Sequence, residues 1–181
     1  GIIDIKNIII DSKSGVTGAG RNLSDITHFP ACNENLTPYK IATHRHTPEI
    51  EETLSQVANE GVTVTFVPHL IPVNRGILST VYANLNKDIS IEAIHEIYKK
   101  YYEKEPFIRM QDLGSSATLK NIKYSNYCDI SLHLDSRTNK LIIASAIDNM
   151  IKGAAGQAIQ NMNIALGLDE RKGLDQVPPA F

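Results

Sequence analysis

The feature that most constrains the fold is a pair of apolar segments separated by a short polar turn. Residues 127–134 and 141–146 are rich in β-branched and other apolar side chains, and residues 135–139 between them are polar. Two apolar runs joined in this way are typical of a β-hairpin. The sequence therefore predicts two antiparallel neighbouring strands in this part of the chain.

Other segments have equally simple patterns. Val62, Val64 and Phe66 alternate with threonines, as in a half-buried strand, and Ser90 precedes a segment with apolar residues at helical spacing. Further strands are predicted at residues 8–11, 77–85 and 107–110. Strands and helices at such intervals predict an α+β fold, with a mixed or largely antiparallel sheet and helices packed on one face.

Composition excludes several classes of protein. The chain has 181 residues, 42% of them hydrophobic, which is enough for one sizeable core. A net charge of -2 argues against a nucleic-acid partner, and no apolar run approaches the length needed to span a membrane. The two cysteines lie in dissimilar contexts and indicate no disulfide framework, so we expect a cytoplasmic location.

Two histidines stand immediately before a predicted helix. His44 and His46 are followed by Thr47, which can cap the helix, and by Pro48, which suits its first position. The helix is indicated by apolar residues at helical spacing: Ile50, Leu54, Val57 and Ala58. Because imidazole titrates near neutral pH, this pair is typical of general acid–base chemistry.

Two alternatives for the histidine pair remain at this point. Surface histidines can be inert, and a His-x-His pair can bind a metal, which would suit a metal hydrolase. A metal site needs further ligands at regular spacing. The remaining histidines are scattered without such a pattern: His28, His69, His95 and His133. We therefore predict no metal site.

A glycine-rich segment follows the first predicted strand. Residues 13–21 contain three glycines and end at Arg21, so exposed backbone amides could hold an anion and Arg21 could clamp a carboxylate or phosphate. The glycine spacing is not that of a dinucleotide fingerprint. A plain glycine turn is an equally good interpretation. Arg75, in residues 68–76 between two strands, is either a second anion clamp or a solvated arginine.

The last motif begins at Asp148, a good N-cap for a helix with a stripe of small and apolar side chains. Its first turn could bind a phosphate or a polar group of a cofactor. A core helix packed tightly on the sheet is the alternative, and the two are compatible.

Five of these segments, taken in order, resemble the N-acetyl-gamma-glutamyl-phosphate reductases, the arginine-biosynthesis members of the semialdehyde dehydrogenase superfamily. The resemblance spans nearly the whole chain and includes residues 173–181 at its end. It depends on Ser14-Gly15 through Arg21, His44 through Ile50, Pro72 through Ile77, Ser125 through Ile130, and Asp148 through Gln157.

Two features of that family are missing from this sequence: a glycine-fingerprint cofactor domain and a nucleophilic cysteine in an Asn-Pro-Gly-Cys-Tyr-Pro setting. Neither Cys32 nor Cys128 has that context. The resemblance thus implies the C-terminal portion of a longer enzyme. It also implies a substrate-binding and dimerisation domain at residues 1–147, and a C-terminal helix and tail at residues 148–181 that pack on the cofactor domain.

The resemblance further implies a reaction. The full enzyme would use NADPH to reduce N-acetyl-glutamyl 5-phosphate to the semialdehyde, with a thiolate displacing phosphate and hydride then attacking the thioester. A base must take the thiol proton. We expect His46 to be this base, with Glu49 orienting it, and His44 to be the second candidate.

The same resemblance implies the remaining contacts. Substrate binding is expected of Ser14, Gly15, Arg21, Tyr39 and Arg75. Asn149 is expected to face the nicotinamide of NADP, most of which would be held by the N-terminal domain. The enzyme should be a homo-oligomer, either a dimer or a tetramer. As an alternative, the isolated chain acts only as a substrate-binding and oligomerisation module without turnover, with an apolar stripe exposed on its last helix.

Overall fold

The computed structural model describes residues 1–22 and 24–179 and contains one mixed sheet of seven strands in the order β2-β3-β1-β4-β7-β6-β5. The last two residues of the C-terminal motif lie outside the described residues. The strands are β1 Ile8–Gly15, β2 Thr37–Pro38, β3 Val64–Ile71, β4 Ile77–Asn84, β5 Ile108–Met110, β6 Cys128–Asp135 and β7 Lys140–Ile147.

Pairing in the sheet is both parallel and antiparallel, as the sequence predicted. Strand β1 is parallel to β3 and antiparallel to β4, and β5 is parallel to β6. The predicted hairpin is confirmed as β6 and β7, with Leu134 opposite Leu141. Strand β1 is longer than predicted and includes Ser14 and Gly15, because both neighbouring strands extend the hydrogen-bonded ladder to that point.

Four α-helices accompany the sheet in the described residues: α1 Phe29–Cys32, α2 Thr47–Ala58, α3 Ile91–Tyr102 and α4 Gly156–Ala165. The predicted cap of α3 is confirmed, since Ser90 Oγ accepts a hydrogen bond from the Ala93 amide at 3.2 Å. The predicted cap of α2 is wrong. The Thr47 amide donates to the His44 carbonyl at 3.0 Å, which makes Thr47 the first helical residue and Pro48 the second.

The main core lies between helix α3 and one face of the sheet. Ile94 of α3 packs with Ile130, Leu132 and Leu141, which share that face. Helix α2 follows a loop that lies over the same face, because the His44 ring contacts Phe66 on that face. Glu51 of α2 accepts a hydrogen bond from the Val64 amide at the start of β3. The helices thus pack on one face, as predicted. A second cluster of Ala117, Ile122 and Ala146 lies under the loop that covers part of the other face.

The segment after Asp148 is not the continuous α-helix that the stripe predicted. It opens with one wide π-helical turn, Ile151–Ala155, before α4 begins. A Cβ atom at Gly156 would lie 2.4 Å from Asn126 Oδ1, so the small residue accommodates Asn126 at the point where the turn tightens. Helix α4 then buries the polar residues Gln160 and Asn163 and exposes Ile159, Met162 and Ile164.

Candidate active site

The ends of three strands meet at one edge of the sheet. Ser14 at the end of β1 lies opposite Ile77 at the start of β4, and Ile77 lies opposite Ile147 at the end of β7. Three of the predicted motifs therefore converge there, although 134 residues separate Gly15 from Asn149. We call the group Gly15, Arg75, Asp148 and Asn149 the edge cluster.

Backbone hydrogen bonds join the glycine loop to the loop before β4. The Gly15 and Val16 amides donate to the Gly76 and Val73 carbonyls, each at 2.9 Å. A Cβ atom at Gly15 would lie 2.7 Å from the Asn74 carbonyl oxygen. The structure thus explains Gly15 by a close approach of two backbones, and its amide is already bonded rather than available to an anion as expected.

The Ser14 hydroxyl lies at the end of β1, next to the edge cluster in the chain. It lies 3.3 Å from the Gly15 carbonyl, the outer limit of a hydrogen bond, so it retains capacity for another partner. Its role as a substrate contact stays a prediction. Arg21 is exposed beyond the loop, and its role as an anion clamp likewise stays a prediction.

Asn149 connects three parts of the site and is almost fully buried. Its Oδ1 accepts from the Gly76 amide at 2.8 Å, and its Nδ2 donates to Thr17 Oγ1 at 3.0 Å and toward the Gly15 carbonyl at 3.5 Å. Asn149 therefore holds these loops together, chiefly through Gly76 and Thr17. Its predicted contact with the nicotinamide stays a prediction.

Asp148 is fully buried and accepts hydrogen bonds from several elements. Its Oδ1 accepts from the Met150 and Ile151 amides at 2.8 and 2.9 Å, as expected of an N-cap. Its Oδ2 accepts from the Tyr124 amide at 2.7 Å. A buried carboxylate is stable only when hydrogen bonds and an opposite charge replace its lost water. Asp148 therefore fixes the positions of the backbone amides that it binds and of its ion-pair partner.

That partner is Arg75, whose Nη1 lies 3.2 Å from Asp148 Oδ1. The guanidinium also lies over the ring of Tyr124, with 4.9 Å from Cζ to the ring centroid. The interpretation of Arg75 as a freely solvated arginine is therefore wrong. Its side chain remains 25% exposed, and its Nε and Nη2 atoms donate to no residue in the described parts of the chain. The side of the guanidinium that carries Nε and Nη2 therefore suits an anion that binds through two oxygens.

Tyr124 was not identified from the sequence. It adopts a left-handed backbone conformation with φ 60°, which costs a non-glycine residue about 1–2 kcal/mol. No residue pattern marks such a position, and the only sequence signal is that Tyr124 directly precedes the motif beginning at Ser125.

The second part of the site is the histidine loop, which we define as residues 39–46. The His44 ring contacts three other rings edge-on: Tyr39, His46 and Phe66 of β3, at centroid distances of 5.6, 4.9 and 5.3 Å. Phe66 anchors the loop to the same sheet face as α2 and α3. The loop thus rests on the sheet through aromatic contacts rather than through buried ion pairs.

The hydrogen bonding of His44 determines what its ring can do. His44 Nδ1 accepts from the His46 amide at 3.2 Å, so the neutral ring carries its proton on Nε2. Desolvation and the nearby His46, Lys40 and Arg45 lower the pKa of His44. A neutral ring with Nε2–H is a hydrogen-bond donor at its free nitrogen and is poorly suited to accept a proton there.

His46 is more exposed, and its ring makes no hydrogen bond with the described residues. It therefore suits the predicted base better than His44 does. Glu49, expected to orient His46, is exposed, and no hydrogen bond or ion pair joins it to either histidine in the part of the chain that the structure describes. Its role in orienting His46 stays a prediction. Tyr39 is partly buried, and desolvation raises its pKa, so its hydroxyl remains a proton donor.

The histidine loop and Ser14 lie along the same sheet face. Phe66 and Leu70 of β3 share that face, and Leu70 lies beside Ser14 of β1, which directly precedes Gly15 of the edge cluster. Four residues along a strand correspond to roughly 13 Å. A ligand that contacts both Ser14 and the imidazoles must therefore span about this distance.

Neither cysteine has the features of a nucleophile. Burial raises the pKa of Cys128, whose Sγ lies 3.4 Å from Ser145 Oγ. Cys32 Sγ lies 3.7 Å from the Thr27 and Phe29 carbonyls.

Among residues 1–22 and 24–179, no three His, Cys, Asp or Glu side chains are close enough to hold a metal ion. No helix in the same ranges is long and apolar enough to cross a membrane.

Comparison with known proteins identifies the domain type. Residues 1–149 match the family described as semialdehyde dehydrogenase, dimerisation domain. The chain is similar to N-acetyl-gamma-glutamyl-phosphate reductase of Brachyspira hyodysenteriae, with 65% identity over 97% of this chain and 50% of the relative. The enzyme of that name from Clostridium kluyveri is 59% identical over 100% of this chain and 53% of the relative. The chain spans about half the length of the curated relatives that it matches.

Solved structures share the fold. Aspartate semialdehyde dehydrogenase II from Vibrio cholerae has a TM-score of 0.71 at 16% identity, covering 91% of this chain and 56% of that chain. A probable aspartate-semialdehyde dehydrogenase from Pseudomonas aeruginosa has a TM-score of 0.70 at 12% identity, with the same coverage.

Proposed function

The chain belongs to the semialdehyde dehydrogenase dimerisation-domain family, and from this premise we propose that the full protein is an NADP-dependent N-acetyl-gamma-glutamyl-phosphate reductase of arginine biosynthesis. The observation that carries the proposal is 65% identity to a curated reductase along 97% of the chain. The aspartate-specific enzymes share only the fold, at 16% identity or less. A biosynthetic reductase of this kind belongs in the cytoplasm.

In the proposed reaction, N-acetyl-glutamyl 5-phosphate is reduced to the 5-semialdehyde and inorganic phosphate is released. A cysteine of the full protein forms a thioester with the acyl group. We assign the base to His46, whose exposed imidazole takes the thiol proton and later returns a proton to the hemithioacetal oxygen. His44 supports this role by packing against His46, and in its neutral form it carries a proton on Nε2 that it can donate to the substrate.

The substrate carries carboxylate and phosphate groups, which require cations and donors. Arg75 offers its Nε–Nη2 edge at the strand ends, and Ser14 offers a hydroxyl at the end of β1. Tyr39 offers a phenol beside His44. We propose Arg75, Ser14 and Tyr39 as substrate contacts, with Arg21 as a further exposed cation on the glycine loop.

NADP belongs to the proposal through the family resemblance, with most of its site in the N-terminal domain of the full protein. Asn149, the residue expected to face the nicotinamide, is buried and bonded to Gly76 and Thr17 within the chain. We propose that it holds the loops at the nicotinamide end of the site, and we derive no catalytic step through the cofactor.

A specific observation favours the second proposal, that this chain alone is a substrate-binding and oligomerisation module without turnover. The pKa of Cys128 is raised by burial, whereas a nucleophilic cysteine needs a lowered one. Cys32 lies in an exposed segment away from the histidine loop contacts, with carbonyl oxygens as its neighbours. Neither sulfur can replace the family cysteine.

We further propose that the full protein is a homo-oligomer, a dimer or a tetramer, paired through the sheet face opposite the helices. Ile9, Tyr82 and Ile142 lie side by side on that face across β1, β4 and β7. Ile9 is 45% exposed, and the other two are partly exposed. An apolar row on a sheet is expected to be covered in the assembled protein.

The last helix supports the proposed division of the chain into residues 1–147 and 148–181. Helix α4 buries Gln160 and Asn163, whereas Met162 and Ile164 of the helix and Leu166 just after it are 50, 57 and 66% exposed. A helix oriented in this way lacks a partner for its apolar side. We propose that the cofactor domain of the full protein supplies it.

The test is a steady-state assay of the full-length protein with NADPH and two acyl phosphates. We expect oxidation of NADPH with N-acetyl-glutamyl phosphate and none with aspartyl phosphate. The opposite preference would assign the protein to the aspartate branch. The 181-residue chain, assayed in parallel, should show no turnover, and a measurable rate from it would contradict the assignment of the nucleophile to another part of the protein.

A further inference from the structure

Arginine, a buried aspartate and a tyrosine ring form two similar clusters in this molecule. In one, Arg75 pairs with Asp148 and lies over Tyr124, with 4.9 Å between Cζ and the ring centroid. In the other, Arg109 pairs with Asp129 at 2.6 Å and lies over Tyr127 at 4.3 Å. Both aspartates are at most 1% exposed. The two clusters therefore contain the same chemical groups, and they differ in the other hydrogen bonds that each guanidinium makes.

The second cluster is occupied with structural contacts. Arg109 donates from Nε to Asp129 and from Nη2 to the Asn121 carbonyl at 2.9 Å. Arg75, in contrast, uses only Nη1, on Asp148, and keeps its Nε–Nη2 edge free of contacts with the described residues. Of the two, Arg75 alone can accept a bidentate anion without giving up an existing hydrogen bond.

The tyrosines differ as well. Tyr124 has a positive φ of 60°, a conformation that is unfavourable for a bulky side chain and natural for glycine, whereas Tyr127 has no such strain. Burial does not compensate for the strain, because Tyr124 is 51% exposed. Glycine would also keep the hydrogen bond from the amide of residue 124 to Asp148. The contact with Arg75 is therefore what a tyrosine ring adds at this position.

We propose that Tyr124 is a positioning residue for the anionic substrate: its ring and Asp148 together hold the Arg75 guanidinium with the Nε–Nη2 edge turned outward. Strained residues persist where the surrounding structure requires them, and they concentrate at functional sites. The inference rests on the proposed function for the identity of the anion, which is either the carboxylate or the phosphate of the acyl phosphate. Each presents two oxygen atoms that a fixed guanidinium can bind side by side.

The test uses three variants of the full-length enzyme. Tyr124→Gly removes the ring and the strain, Tyr124→Phe keeps the ring, and Tyr127→Leu removes the matched ring of the other cluster. We expect Tyr124→Gly to raise KM for the acyl phosphate about three- to tenfold while kcat stays within about twofold, since a cation–π contact has about this strength. Tyr124→Phe and Tyr127→Leu should retain the original KM.

An unchanged KM in Tyr124→Gly, or an equal rise in Tyr124→Phe, would overturn the proposal. A rise in KM for Tyr127→Leu of the same size would show a general loss of packing and would also overturn it. Thermal melting checks folding, which glycine at this position should not impair.

Calorimetric titration separates this proposal from the proposed function. Inorganic phosphate and N-acetyl-glutamate are titrated separately into the same proteins, and the ligand weakened by Tyr124→Gly identifies the oxyanion that Arg75 binds. Absence of turnover in the unmodified enzyme would refute the reductase assignment alone. Equal binding of both ligands by the unmodified protein and by Tyr124→Gly would refute the role of Tyr124 alone.

Discussion

The edge cluster and the histidine loop are built in opposite ways. Asp148 and Asn149 are buried, and their side chains bond to backbone groups from the ends of several strands and loops. His44 and His46 are partly or largely exposed, and His44 is held by ring contacts with Tyr39 and Phe66. Both regions belong to the same proposed site.

Because of this difference, substitutions in two short motifs of similar appearance should affect different properties of the protein. A buried polar group that loses its partner costs folding free energy. An exposed imidazole has little packing to lose, so its removal affects chemistry. Substitutions in the edge cluster should therefore reduce stability first, and substitutions in the histidine loop should reduce turnover first.

The largest effect is expected for His46→Ala in the full-length enzyme. Removal of a general base lowers kcat by about a hundred- to ten-thousand-fold. The free energy of unfolding should change by about 0.5 kcal/mol or less, as for an exposed site. Rates of NADPH oxidation and urea unfolding measure the two quantities, and His28→Ala is the matched exposed control. If His44→Ala shows the kinetic loss and His46→Ala does not, the assignment of the base is reversed.

Asp148→Ala should give the largest loss of stability. It leaves the Arg75 guanidinium without its carboxylate and the Tyr124, Met150 and Ile151 amides without an acceptor. We expect a loss of about 3 kcal/mol, since breaking a buried pair typically costs this much or more. Urea unfolding monitored by circular dichroism measures it. Asp88→Ala, at an exposed aspartate, is the control. If both variants lost the same free energy of unfolding, the stabilising role of the buried aspartate would be contradicted.

Gly15→Ala tests the close approach of backbones in the edge cluster. The added Cβ would lie 2.7 Å from the Asn74 oxygen and 2.9 Å from the Val73 oxygen, so one loop must move. The expected cost is about 1–3 kcal/mol. Gly61→Ala is the control, because no atom lies within 4 Å of its added Cβ. Thermal unfolding measures the effect. An unchanged melting temperature in both variants would contradict this account of Gly15.

The smallest effect is a pH dependence from His44. Its pKa is lowered in the folded protein by desolvation and by His46, Lys40 and Arg45, so the unfolded chain binds the proton more strongly. The stability contribution is present above the ordinary histidine pKa of about 6.5 and is lost as pH falls through the lowered value. Unfolding measured between pH 7.5 and 5.5 should be less pH-dependent in His44→Asn than in His46→Asn. If the free energy of unfolding changed equally with pH in the two variants, the prediction would be contradicted.

Local patterns were sufficient for much of the fold. The β6–β7 hairpin and the Ser90 cap of α3 follow from residues close in sequence, so they were predictable. The histidine pair before α2 was also predictable, although the helix begins one residue earlier than expected. In each case the interactions that form the element involve neighbours along the chain.

Other features required contacts between distant residues. Helix α4 shows an apolar stripe in the sequence, yet Gln160 is buried because Asn126 and Glu170 bond to it. Asn149 was expected at a cofactor, and no sequence pattern indicated that it also bonds to Gly76 and Thr17. No spacing rule predicts which of several polar groups will meet across a sheet.

The sequence by itself determined the types of most elements, the capping roles of Ser90 and Asp148, and the family motifs with their order. Only the tertiary structure decided that β1 lies between β3 and β4, that Arg75 meets Asp148, and that Tyr124 covers Arg75. The physical reason is that propensity, periodicity and capping depend on a few adjacent residues. Strand order and buried hydrogen bonds depend instead on which groups from remote segments can satisfy one another in a closed core.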